Sequence, residues 1–295
     1  MLVIKVIRSI FNGTLIKKIR TRLLRYKKFP SDKEYLIAYG KISLKYTMNL
    51  DNPKTFNEYL NWYKLNYKND LMPICVDKYR VREHIKNKGL ESLLVQCYGV
   101  YDSIDDIDLN QLPDHFVAKV TGDSGGVVIC KNKKDFYKEA RIKFKKMKKD
   151  YSNRTKEWPY HYVDNKIIIE DLIKTENGDS PNDYKFFCFN GEPKFLYVAS
   201  ERNTKCKFDF FDLQWNHMDV VQNHPQSTKK IQKPKRFDEM LKICRILSQE
   251  FPHVRVDLYY ENDKIYFGEL TFFHMAGLTP FSRIETDYML GRYFE

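Results

Sequence analysis

The chain has 295 residues, 42% hydrophobic and 15% aromatic, which is apolar mass enough for two or three packed lobes. Its formal charge of +12, from 51 lysines and arginines against 39 acids, favours anionic partners such as nucleotides, polyanionic glycans or acidic lipid headgroups. The absence of a paired Cys/His zinc pattern, an RNP-like aromatic motif and a basic heptad region excludes nucleic acid as the expected partner, and the interleaving of charged with apolar residues excludes long disorder.

Residues 1–28 form the first expected segment. Val3, Ile7, Ile10, Leu15, Ile19 and Leu23 recur at near-helical spacing among Lys5, Arg8, Lys17, Lys18, Arg20, Arg22 and Arg25, with no acid between them. Two readings stand, a helix lying on an anionic membrane face and a helix packed on the body with its lysines in water. The missing acids tip the balance toward the membrane. Lysines and arginines break up any signal-peptide core, and no apolar run reaches the roughly 20 residues of a bilayer span. Six cysteines without metal or redox spacing read as reduced core residues. The expected location is therefore cytoplasmic, with peripheral contact to the inner face of the membrane.

A second segment, 29–115, is helical at first. Thr55 and Glu58 have capping-box spacing before Phe56, Leu60, Tyr63 and Tyr67, and a further helix follows Asp77 and stops near Gly89. From there the pattern turns to short β-rich runs: VQCYGVY, HFVAKV, GVVIC and KIIIE, with a basic helical stretch from Lys133 to Lys149. The runs YKFFCFNG, EPKFLYVAS and KFDFFD follow, the first two joined by an Asn190-Gly191 hairpin signal. A loop rich in His, Pro and Lys precedes a helix over 237–251 and two last strands joined at Glu261-Asn262-Asp263.

Three signals carry chemistry. On the last hairpin Asp257 and Glu269 face one another across antiparallel strands, each projecting a carboxylate from an apolar, aromatic surface. Two strand-edge acids at the surface are one reading; the other is a hard divalent cation that offsets the burial, magnesium needing only one or two carboxylates once phosphates supply the rest. In KVTGDSGGVV a strand ending at Lys119 enters a loop with Gly122, Gly125 and Gly126, where glycines let backbone N–H groups close on phosphate oxygens. In KIIIEDLI an apolar strand closes with Glu170 and Asp171 before Leu172 and Ile173, which taken alone is an ordinary strand end and otherwise a place for an adenine between backbone groups and apolar walls.

The order of these signals, with the stretches TFNEYLNW, DKYRVREHI, HFVAKVTGDSGG, DYKFFCFNGEPKF and VRVDLYYENDKIYFGELTF, resembles the teichuronopeptide-biosynthesis (TupA-like) branch of ATP-grasp proteins over roughly residues 45–280. That resemblance implies an α+β ATP-grasp fold holding nucleotide between two antiparallel-sheet lobes, with 116–175 as the lid and 176–295 as the catalytic part. It implies ATP and Mg2+ as cofactors. Carried over, Lys78 and Lys119 reach the phosphates, the hairpin Gly122, Asp123, Ser124, Gly125 and Gly126 folds over them, and Glu170, Asp171, Leu172 and Ile173 form the adenine slot. Asp183 holds the ribose, Lys185 points into the cleft, and Arg255 touches the transferred phosphate. Asp257 and Glu269 are the metal-binding acids. Thr271 stands where many ATP-grasp ligases carry Asn, which leaves a second magnesium site in doubt.

The implied reaction is carboxylate–amine ligation through an acyl phosphate, on an acidic glycan precursor with an amine or amino-acid co-substrate. Arg202, Lys205, His274 and the 203–236 loop are the expected acceptor-recognition positions. Two alternatives remain: a glycosyltransferase of the same kind of pathway, the label that proteins resembling this one often carry, and a nucleotide-binding scaffold without catalysis at the membrane. The Asp106-Ile107-Asp108 triplet would be the metal motif of the transferase, but it sits in an acidic turn with no strand before it. On the sequence alone, Asp257→Asn and Glu269→Gln should each abolish turnover and leave the fold intact.

Overall fold

The computed structural model of the protein describes residues 14–123, 125–145, 151–175 and 180–295. Ser124, residues 1–13 of the basic N-terminal segment and the last residues of the expected Lys133–Lys149 helix lie outside them. The chain divides into two compact units, each assembled from stretches far apart in sequence.

One unit comprises the stretch to Lys68 with Ser152–Glu157 and Phe273–Glu295. It is helical: Thr14–Leu23, Asp32–Ser43, Phe56–Asn66 and Ile284–Gly291. The expected capping box is formed, Thr55 accepting from the Glu58 amide while Glu58 accepts from that of Thr55. Asp287 takes the next orphan donor, the Asn57 amide, at 3.0 Å, and the Tyr46 hydroxyl at 3.0 Å. Lys64 is buried; its ammonium donates to the carbonyl of Ala276 at 2.5 Å and to Asn61 Oδ1 at 3.1 Å. Burial brings this lysine down to about 8 despite the pull of Glu157.

The second unit comprises Asn69–Tyr151 and Trp158–Phe272 and holds both sheets. Cys97–Tyr101 (β1), Phe116–Val120 (β2), Val127–Cys130 (β3) and Ile167–Asp171 (β4) make an antiparallel sheet in the order β1-β4-β2-β3. The helix Lys133–Lys145 lays Phe136, Ala140 and Phe144, one face at a spacing of four, onto Phe116, Ala118 and Ile169. Asp183–Phe189 (β5), Glu192–Ser200 (β6), Lys207–Asp212 (β7), His217–Met218 (β8), His253–Glu261 (β9) and Lys264–Thr271 (β10) form the larger sheet, order β10-β9-β5-β6-β7-β8. Its strands are dense in aromatic and β-branched residues that suit a pleated, covered surface. Asn190 and Gly191 turn the β5–β6 hairpin with φ of 49° and 80°, the left-handed pair that a two-residue hairpin requires. Asn262 and Asp263, at 50° and 56°, do the same between β9 and β10.

The helix Phe237–Ser248 packs on β5, β6 and β9 and buries Phe237, Met240, Ile243, Cys244 and Leu247. Along β5 and β9, Phe186, Cys188, Val254, Val256 and Leu258 are fully or almost fully buried. The alternate positions, Asp183, Lys185, Phe187, Arg255, Asp257 and Tyr259, share the other face because side chains alternate along a strand. That face carries the chemistry.

Candidate active site

Register brings the charged residues of three strands together. Lys185 pairs with Asp257 across β5 and β9, Glu269 with Asp257 and Thr271 with Arg255 across β9 and β10. The β10 register slips by one residue at Gly268, which stands unpaired between Phe267, opposite Leu258, and Glu269, opposite Asp257. Such a bulge re-aims the side chain beside it. A Cβ on Gly268 would lie 2.9 Å from the Asp257 carbonyl oxygen, so only glycine permits this close approach.

Asp257, 1% exposed, is the centre of the cluster. Arg255 grips it with two bonds, Nε to Oδ1 and Nη2 to Oδ2, both 2.7 Å, and the Lys185 ammonium bonds to Oδ2 as well. Lys185 also lies 2.7 Å from Asp183 Oδ2, whose other neighbour is Arg202 at 3.4 Å. Arg255 Nη2 reaches Glu269 Oε1 at 3.2 Å and Thr271 Oγ1 at 3.0 Å, and the threonine hydroxyl donates to Glu269 Oε1 at 3.2 Å. Burial pushes the Asp257 carboxyl up to about 6 although Arg255 and Lys185 pull it back. Burial acts the same way on Glu269, but there Lys185, Lys78 and Arg255 outweigh it and hold the acid at about 2. Burial opposes the charge on Lys185, which Asp183 and Asp257 more than restore, so its pKa rises above the usual lysine value.

The smaller sheet supplies a second set of cations. Lys119 on β2 donates to Glu170 Oε2 at 2.7 Å, and Arg82, on the helix Val81–Asn87, donates to Glu170 Oε1 at 2.8 Å. Lys78 is tied to the glycine hairpin twice: its amide donates to the Thr121 carbonyl at 2.9 Å and its ammonium to the Asp123 carbonyl at 2.7 Å. Burial lowers the Lys78 pKa, Glu269 opposing and Lys119 adding to the shift. The hairpin closes by a bond from the Val120 amide to the Gly126 carbonyl at 2.8 Å, turning through Gly125 at a φ of 100°. Gly122 donates to Asn165 Oδ1 at 3.1 Å.

Two cavities with shared walls adjoin these groups. One, of about 300 Å³, is lined by Lys78, Arg82, Lys119, Asp123, Gly125, Glu170, Asp183, Lys185, Arg202 and Glu269. The other, of about 510 Å³, is bounded by Val117, Ile129, Asp171, Leu172 and Ile173, with Val95, Lys119, Val127, Arg202, Tyr259 and Phe267 common to both. Of the residues singled out from sequence, Asp257, Arg255, Thr271, Gly122 and Gly126 line neither; Asp257 and Arg255 are buried in the sheet face behind Glu269. Glu170, grouped in sequence with the adenine slot, turns instead to the charged cavity, while Asp171, Leu172 and Ile173 line the apolar one. Lys205 is exposed. His274 belongs to the helical unit, where it is 1% exposed and packs edge-on against Phe56 at 6.4 Å. Asp106 and Asp108 serve as caps, accepting from the amides of Ser103 and Asn110 at 2.9 Å each.

Sequence reasoning missed Arg82, Tyr259, Asn165 and the Gly268 bulge. A glycine inside an alternating strand pattern is the one signal among these that was present.

The residues fit ATP and magnesium. The charged cavity presents cations from both sheets to an anion, and the apolar one has strand-end backbone beside Leu172 and Ile173. Asp183 Oδ1 is buried beside the charged cavity without a hydrogen-bond partner, a cost that a hydroxyl donor from a bound sugar would remove. Among the described residues no group of three or more His, Cys, Asp or Glu could hold a metal by itself.

Two antiparallel sheets enclosing a cationic, carboxylate-backed cleft define the ATP-grasp class. Within it, the chain belongs to the TupA-like ATPgrasp family, whose model matches residues 58–295. No curated protein matches the chain. Among solved structures it is similar to a D-alanine–D-alanine ligase from Bacillus anthracis complexed with ATP (16% identity, 68% of this chain and 54% of that one, TM-score 0.42). It is also similar to the corresponding ligase from Helicobacter pylori (15%, 75% and 61%, TM-score 0.45) and to an L-amino acid ligase from Bacillus licheniformis (12%, 74% and 46%, TM-score 0.44). The chain thus spans between about half and three fifths of the length of these structures.

Proposed function

We propose that the chain is a Mg2+- and ATP-dependent carboxylate–amine ligase acting on an acidic sugar or amino-acid substituent of a cell-surface polysaccharide precursor, such as a capsule or O-antigen unit. The observation that carries this is the single cavity lined by Lys78, Lys119 and Gly125 on one side and by Asp183, Lys185 and Glu269 on the other. Lys78 and Lys119 would hold the triphosphate under the glycine hairpin, Leu172 and Ile173 the adenine, and Asp183 a ribose hydroxyl. Glu269 and Asp257 would hold the magnesium, which supplies charge stabilisation at the phosphoryl group. Substrate carboxylate oxygen attacks the γ-phosphorus as the bond to ADP breaks; an amine then attacks the acyl carbon and displaces phosphate, giving an amide. No side-chain nucleophile is required, and the protein's part is positioning and electrostatics. The polysaccharide precursor rests on the TupA-like family and the resemblance from which teichuronopeptide synthesis was expected. ADP release should appear only when a sugar acid and an amine are both supplied. Release of UDP from a nucleotide sugar, with no ADP or AMP under any acceptor mixture, would establish the transferase instead.

The helix Thr14–Leu23 supports a membrane-facing role. Thr21 and Leu24 are buried, whereas Ile16, Ile19 and Leu23 are 47%, 50% and 55% exposed, one stripe flanked by exposed Lys18, Arg20 and Arg22. An apolar stripe with a basic flank suits the anionic inner face of the cytoplasmic membrane. Among the described residues no helix is long and apolar enough to cross a membrane. Removing residues 1–25 should lower cosedimentation with anionic liposomes and spare nucleotide binding; unchanged cosedimentation would show a packing helix.

A further inference from the structure

Extended strands alternate their side chains between two faces, and Arg202 does not keep to that rule. Paired residues share a face, so Asp183 with Ala199 and Lys185 with Tyr197 mark the cleft side of β5 and β6, while Ser200, one step past Ala199, belongs to the far side. Had β6 run on extended, Glu201 would project toward the cleft and Arg202 away from it. The structure shows the reverse for the arginine: its Nη1 lies 3.4 Å from Asp183 Oδ2, and the residue lines both cavities.

The reversal is made at Glu201, whose φ of 51° is left-handed, a region that a residue with a Cβ keeps only where its surroundings hold it there. Three bonds hold it. The Thr204 amide and hydroxyl donate to the Glu201 carbonyl at 3.1 and 3.2 Å, and the Ser227 hydroxyl donates to Glu201 Oε1 at 3.0 Å. Ser227 is itself fixed, its amide donating to both oxygens of Asp209 at 3.1 Å. Asp209 is 2% exposed and stands opposite Val198, on the far face of the sheet. The far side thus carries the anchor, and the cleft side receives the arginine. The Arg202 side chain is 38% exposed, and a long solvated stem gives up rotamer freedom to stay in one place; a fixed backbone narrows what it must give up.

We infer that Glu201 is a positioning residue: its left-handed turn, anchored through Ser227 to Asp209, presents the Arg202 guanidinium to Asp183 and to both cavities. What the guanidinium meets there rests on the nucleotide reading given above.

The test is a double-mutant cycle on Mg2+–AMPPNP affinity, measured by calorimetry on the full chain. Arg202→Ala is expected to weaken binding about tenfold, the loss of one charge-assisted contact, and Glu201→Ala and Ser227→Ala about threefold each. Glu201→Gln, which keeps an acceptor for the Ser227 hydroxyl, should stay within about twofold of the unaltered protein. In the Arg202→Ala background Glu201→Ala should cost nothing more, a coupling that general loosening of the fold would not show. Equal losses with and without Arg202, or unaltered affinity in both Glu201→Ala and Ser227→Ala, would overturn the inference. The guanidinium 1H–15N resonance of Arg202 in nucleotide-free protein gives a second readout. It should stand apart from that of free arginine in the unaltered protein and in Glu201→Gln, and move to the free position in Glu201→Ala; a resonance that does not move would overturn the inference by itself. AMPPNP failing to bind the unaltered protein would overturn the nucleotide reading instead, and the resonance would still decide the role of Glu201.

Discussion

Asp257→Asn and Glu269→Gln look equivalent in sequence, and the structure separates them. Asp257 is 1% exposed and compensates both Arg255 and Lys185, so its neutralisation leaves two buried cations short of a partner. Breaking a buried charge pair by removing one member costs roughly 3–5 kcal/mol. Here Lys185 keeps Asp183 at 2.7 Å and Arg255 keeps Glu269 at 3.2 Å, which brings the expectation down to roughly 2–4 kcal/mol, or about 5–12 °C in Tm for a body of this size. The Glu269 side chain is 40% exposed, so solvent screens the pull of Lys185, Lys78 and Arg255 on it; its neutralisation should cost about 1 kcal/mol and about 3 °C. Both should lower ATP turnover by about a hundredfold or more. Thermal unfolding at pH 7.5 without nucleotide or metal reads the first difference, and ADP release the second. Equal Tm shifts in the two variants would refute the claim that Asp257 neutralises the cations behind the cleft; the sequence expectation of an intact fold would then hold for both.

His253 is buried, its Nδ1 3.0 Å from the Cys188 carbonyl oxygen, and burial first, with Arg255 adding, depresses it to about 3 against the bond to Cys188. The unfolded chain takes up a proton near pH 6.5 that the folded one refuses until about 3, so this contribution is full above 6.5 and lost as pH falls. Urea unfolding at pH 7 and 5 should show about 2 kcal/mol less stability at pH 5 from this residue, absent in His253→Gln. Gly268→Ala puts a Cβ 2.9 Å from the Asp257 carbonyl oxygen; calorimetry should find Mg2+–AMPPNP affinity down roughly tenfold, with a stability loss of about 1–3 kcal/mol. Gly122→Ala places its Cβ 2.5 Å from Val163 Cγ1 and 2.6 Å from Asn165 Oδ1, which should displace the hairpin and raise KM for ATP with little change in Tm.

What could be read from the sequence was local. The Thr55–Glu58 box, the Asn190-Gly191 turn and the facing of Asp257 with Glu269 each depend on residues close along the chain or joined by one short turn. Glu170 shows where such reading stops. Its neighbours Leu172 and Ile173 suggest an apolar slot, but its side chain is claimed by Lys119 and Arg82, which lie 51 and 88 positions away. No periodicity carries that pairing, because it follows from β4 lying beside β2 and from the helix Val81–Asn87 presenting Arg82 to both. His274 shows the converse. A histidine three positions past β10 looks functional, and burial against Phe56 makes it part of a helical core.

The same charges explain why the cleft holds together before its nucleotide arrives. Lys119 and Arg82 share Glu170, Lys185 sits between Asp183 and Asp257, and Arg202 borders Asp183. Paired in this way the cations avoid the cost of burial without a counter-charge. Lys78 differs. Its ammonium rests on the neutral carbonyl of Asp123, so a phosphate oxygen displaces only a neutral acceptor there, whereas at Lys119 it must compete with a carboxylate. On the proposed nucleotide reading, a phosphate oxygen therefore meets less competition at Lys78 than at Lys119.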